Sequence, residues 1–91
     1  MPGSTILEEA AALVTDGQRA RSYGPPVAAC EQIATVWSAL TGHRFRPADV
    51  PLLLAAVKLC RQAHRHGRDN LVDLAGYALI ADMAAASEEE S

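Results

Sequence analysis

Lys58, Arg61, Arg65 and Arg68 recur at spacings of three, four and three, and this row holds half of the 8 lysines and arginines in the chain. On a helix that reached Arg68, those spacings would line all four cations along one face. Forked guanidinium donors match phosphate oxygens, so such a row could meet successive phosphates of a nucleotide. Arg19, Arg21, His64 and His66 are candidate neighbours, and Tyr23 and Tyr77 complete the ligand-binding candidates. A solvated face that balances an acidic remainder would have the same pattern.

Asp69, Asn70, Asp73 and Tyr77 form a second constellation, within about 100° of arc on an otherwise apolar helix. Burying a carboxylate costs several kcal/mol unless a cation or metal compensates. Asp73 therefore needs Lys58, Arg61 or a hydrated Mg²⁺, an ion that prefers oxygen ligands. Asp69 and Asp73 are the metal-ligand candidates. The plainer alternative makes Asp69 a helix N-cap and Asp73 the partner of a cation on the preceding helix. No catalytic residue can be named, because the chain has no glycine-rich phosphate loop, Ser-His-Asp order or Cys-His setting. His43, His64 and His66 lack the spacing of a helical metal pair and read as surface residues. Trp37, near the centre of an apolar face, reads as core.

Four helices must position these groups. Thr5 and Glu8 form a capping box that opens the first, with Gly17 as its stop and Ile6, Ala10, Leu13 and Val14 on one face. After a loop rich in Arg and Gly, Pro26 suits the first turn of a second helix ending near Thr41 at Gly42. Its apolar face carries Val27, Cys30, Ile33, Ala34, Trp37 and Leu40. Pro47 can open a third helix running to about His66, in which the unbroken run Leu52 to Val57 suggests burial on more than one side. Asp69 or Asn70 can cap a fourth, extending to about Ala86. That helix is apolar over most of its circumference, and helices of that kind are buried.

The expected architecture is all-α, a single helical domain over residues 5–86, with a flexible N-terminus at 1–4 and an acidic disordered tail at 87–91. A domain of 91 residues has little interior in which to hide so broadly apolar a helix, so a homo-oligomer, a dimer or higher, is expected. The net charge of −3 offers no general attraction to long nucleic acid or to anionic membrane. No apolar run approaches the ~20 residues of a membrane span, and no signal peptide is evident, which points to the cytoplasm. Cys30 and Cys60 each sit inside a helical apolar pattern and read as reduced core residues.

The pattern from Ile6 to about Ala84 resembles a family of short, uncharacterised phage and prophage proteins, similar in turn to MazG-like helical domains. The matching residues are Ile6-Leu7-Glu8-Glu9-Ala10, Arg19, Tyr23-Gly24, Ile33-Ala34, Trp37-Ser38 and Pro47-Ala48-Asp49-Val50. They continue with Lys58, Arg61, Asp69-Asn70, Val72-Asp73 and Gly76-Tyr77-Ala78. The order Asn70, Asp73, Tyr77 resembles a helix of MazG-type all-α nucleoside triphosphate pyrophosphohydrolases, in which a Glu three residues before an Asp helps hold Mg²⁺. The resemblance implies that fold type, a bacterial-host setting, and Asp73 as a metal ligand with Asn70 where the Glu would be. The third helix here carries no acidic residue after Asp49 and offers Lys58 and Arg61 instead.

Three functions follow as expectations. The first is binding of a nucleotide or nucleotide-derived ligand, with Lys58, Arg61 and Arg19 on phosphate, in nucleotide metabolism, DNA modification or sequestration of a signal. The second adds Mg²⁺-dependent pyrophosphate release to the same site. The third is a non-catalytic interaction or structural module in which Asp73 only neutralises Lys58 or Arg61.

Overall fold

Helix boundaries here are set largely by residues close by in sequence. The structure, a computed structural model, describes residues 5–16 and 25–89. Thr5 is extended, its hydroxyl accepts from the Glu8 N–H at 3.1 Å, and Glu8 Oε1 accepts from the Thr5 N–H at 3.4 Å. This reciprocal cap starts α1, Ile6–Val14, and Gly17, its expected stop, lies outside the described residues. Pro26 opens α2, Pro26–Thr41. Gly42 closes α2 at φ 75°, a left-handed conformation that glycine adopts without a Cβ clash, and donates to the Ser38 carbonyl at 3.0 Å.

The Ser38 hydroxyl then accepts from the Phe45 N–H at 2.9 Å, and the Phe45 ring stands edge-on to Trp37, 5.7 Å between centroids. That fastens the connecting loop to α2. The third helix, α3, spans Asp49–His64; Pro47 and Ala48 form a turn before it, where Asp49 Oδ2 accepts from the Arg46 N–H at 2.8 Å. At the far end Arg65 is extended (φ −154°, ψ 128°), and Gly67 N–H donates to Gln62 Oε1 at 3.0 Å. The chain turns there into α4, Arg68–Glu89. The helix continues three residues beyond the expected end at Ala86, and Glu88 Oε1 accepts from the Ala48 N–H at 3.2 Å. The C-terminal end of α4 therefore meets the N-terminal end of α3, and the two run antiparallel as an αα-hairpin.

The described residues form helices and turns without a strand. α4 is the central element, packed along α3 and α1 and more briefly against α2. The chain covers part of its apolar circumference: Val72, Gly76 and Ala84 are buried, while Leu71, Leu74, Leu79, Ile80 and Met83 are half-buried. What is buried is small: Ala10, Cys30, Ala34, Ala48, Val50, Val72 and Ala84, with Pro51 and Gly76. Ile33, Trp37, Phe45, Leu54 and Ile80 pack, partly buried, against Cys30, Ala34 and Val50, which places Trp37 at the core as expected.

Candidate functional site

The end of α3 at His64 breaks the cationic row. Arg65 lies beyond the helix and Arg68 begins the next one, so the four charges do not share one helical face. Two of them meet carboxylates. Lys58 Nζ lies 2.9 Å from Asp73 Oδ2, with the lysine side chain only 18% exposed and the aspartate 37%. The Arg68 guanidinium meets Glu9 of α1. Its hydrogen bond holds the Glu9 carboxyl below the ordinary carboxylate range. Glu9 was the partner that sequence reading missed; its place at the edge of the apolar face of α1 was the available signal.

Arg61 and Arg65 are exposed and line a shallow recess with Cys60, His64, His66, Gly67 and Asn70. Arg19, Arg21 and Tyr23 lie outside the described residues. His43, His64 and His66 are exposed, as expected.

The polar stripe of α4 is divided in the same way. Asp69 is exposed in the first turn and Asn70 lines the basic recess. Asp73 and Tyr77 line a separate cavity of about 200 Å³ among the four helices, whose other walls include Leu13, Val14, Cys30, Ile33, Leu54 and Ile80. A volume of that size falls below the ~300 Å³ at which ordinary small-molecule pockets begin. Lys58, Arg61 and Asp73 therefore do not converge on one pocket. Among the described residues, no three Cys, His, Asp or Glu side chains come together as a metal site, and Asp73 is turned to an ammonium group.

The most unusual surface is on α3. Pro51, Leu54, Ala55, Lys58 and Gln62 occupy its less exposed side. Its other side carries Leu52, Leu53, Val57 and Leu59, respectively 57, 44, 46 and 58% exposed, with Ala56, Cys60 and Ala63 also exposed. Two expectations are thereby corrected. The run Leu52 to Val57 is not buried on several sides, and Cys60, expected in the core, is exposed; both follow from α3 turning its Lys58 side toward α4. Cys30 is buried as expected, and burial pushes its thiol up. Both cysteines are free.

These features define a small all-helical protein with a basic recess at one end of a hairpin and an open apolar helix face. No helix among the described residues is long and apolar enough to cross a membrane. The chain belongs to the family described as Domain of unknown function (DUF6378), whose model matches residues 5–85. It is 35% identical over 79 residues to the Gene 55 protein of Mycobacterium phage L5, covering 85% of this chain and 51% of that protein. To the Gene 55 protein of Mycobacterium phage D29 it is 35% identical over 75 residues, 81% of this chain and 49% of the relative. The chain thus spans about half the length of these curated relatives. No solved structure matches.

Proposed function

We propose that this chain is a non-catalytic helical interaction module whose working surface is the outward side of α3. One observation carries this: α3 turns Lys58 inward onto Asp73 while four large apolar side chains face out, 44–58% exposed. An isolated protein would gain by burying the leucines instead, and contiguous exposed apolar surface is the mark of a protein contact. The likeness to mycobacteriophage proteins supports a role inside an infected bacterial cell.

The test is affinity capture after chemical crosslinking, from mycobacterial cells producing tagged wild-type protein or Leu53→Glu/Leu59→Glu. The wild type should retain a stoichiometric protein, whether a second copy or another chain, that the variant loses. Identical captured proteins from the two would sink the proposal.

A second reading rests on the recess. Arg61 and Arg65 beside His64, His66 and Asn70 are suited to a phosphate group, which supports binding of a nucleotide or nucleotide-derived ligand. The resemblance of Asn70, Asp73 and Tyr77 to a MazG-type helix supports the same reading. Mono-, tri- and cyclic nucleotides, with and without Mg²⁺, should then raise the melting temperature of the wild type but not of Arg61→Ala/Arg65→Ala. The absence of any shift would remove it. Its catalytic form requires pyrophosphate release from triphosphates that disappears in Asp73→Ala.

A further inference from the structure

We infer that the occupant of the α3 face is a second copy of this chain, docked antiparallel about a two-fold axis; this rests on the interaction-module reading and names its partner. Exposure gives the first reason: Leu52, Leu53, Val57 and Leu59 stand 44–58% exposed on one side of one helix.

The face itself gives the second reason. Leu52, Leu53, Ala56, Val57, Leu59 and Cys60 cover about 160° of the helix with no charged side chain among them. A two-fold contact sets one patch against itself, and an uncharged apolar patch is complementary to its own copy.

Charge then selects the direction. Arg61, His64, Arg65 and His66 gather at the C-terminal end of α3, where Arg68 meets Glu9 and the exposed Asp69 offsets one further charge, leaving that end basic by one. At the N-terminal end Asp49 is matched by Arg46 at 3.5 Å, and the Glu88 contact with Ala48 brings Glu88 and Glu89 alongside. The exposed Arg44 in the preceding loop offsets part of this and leaves that end acidic by one charge, with three carboxylates against two arginines. Parallel copies would oppose basic ends. Antiparallel copies centred near Val57 bring Arg65 of each toward Asp49 and the α4 terminus of the other, and set the α3 dipoles antiparallel.

The experiment is light scattering on the purified chain from about 1 to 100 µM, a range in which mass action separates monomer from dimer. It is combined with the rate of maleimide labelling at Cys60. The expected mass is twice 9.6 kDa, with labelling slowed about tenfold relative to Leu53→Glu/Leu59→Glu, which should run as a single chain. Helical circular dichroism checks that this variant is folded; both positions lie outside the buried core. Arg65→Glu should weaken the dimer, and Arg65→Glu/Glu89→Lys should restore it.

A single-chain mass throughout, with fast labelling of Cys60, overturns the second copy as partner. Face-dependent capture of a different protein would then leave the interaction-module reading standing, whereas loss of both removes both. A dimer indifferent to Leu53→Glu/Leu59→Glu overturns the α3 face. A dimer weakened by Arg65→Glu but not restored by Glu89→Lys overturns the antiparallel direction.

Discussion

Replacing Asp73 by Asn keeps the side chain's shape and removes its charge, leaving Lys58 as an ammonium group only 18% exposed and without the carboxylate now 2.9 Å away. At that distance and an effective dielectric near 20, the bare attraction is about 5–6 kcal/mol. Most of this is offset by desolvating both ions and ordering both side chains. We expect Asp73→Asn to destabilise the protein by about 1.5–3 kcal/mol, between the cost of breaking an exposed pair and a buried one. Lys58→Met should cost less than about 1 kcal/mol, because Asp73, at 37% exposure, keeps much of its hydration and the methionine fills the lysine stem's space.

Urea unfolding of the wild type, both single variants and the double variant, at one fixed protein concentration, measures the coupling directly. It should be about 1–2 kcal/mol with an unchanged urea slope. A neutral or stabilising Asp73→Asn would refute the reasoning, since it would mean that Asp73 is held at a cost to stability for something other than Lys58. A Lys58→Met variant as unstable as Asp73→Asn would refute the assignment of the greater burial penalty to the lysine.

Because Arg68 holds the Glu9 carboxyl low, that contact stabilises the fold above the ordinary carboxylate range and is lost as pH falls through the depressed folded value. Thermal melts between about pH 3 and 7 should show an acid limb that Glu9→Gln flattens. Gly42→Ala should cost about 1–2 kcal/mol in chemical denaturation, because at φ 75° an alanine Cβ crowds the following carbonyl although nothing else is near. Gly76→Ala should stabilise by about 0.5–1 kcal/mol, since a Cβ there meets only Val14 Cγ2 at 3.6 Å and the helix loses a glycine.

Much of the recess and cavity was legible only in fragments. Sequence spacing put Lys58, Arg61, Arg65 and Arg68 on one face only for a third helix that reached Arg68. The Gln62 contacts with the Gly67 N–H and His66 Nδ1, the latter at 2.7 Å, close a turn there instead. Asp73 and Asn70 are three residues apart, yet one lines the apolar cavity and the other the basic recess. The proposed partnership of Asp73 with a cation on the preceding helix is what the structure contains, and Lys58 is that cation.

What the sequence determined by itself was the set of helices and several of their ends. Thr5 with Glu8, Pro26 and Gly42 act on backbone groups within a few residues, so their effect does not depend on the rest of the fold. Which face of each helix turns inward is a different kind of quantity. α3 carries apolar residues on both sides, and hydrophobic periodicity alone favours burying Leu52, Leu53, Val57 and Leu59. Only the tertiary structure decided that the Lys58 side packs against α4, where Asp73 is placed to neutralise it. The broad apolarity of α4 is met in part within the chain, and the largest group of open apolar side chains on one helix belongs to α3.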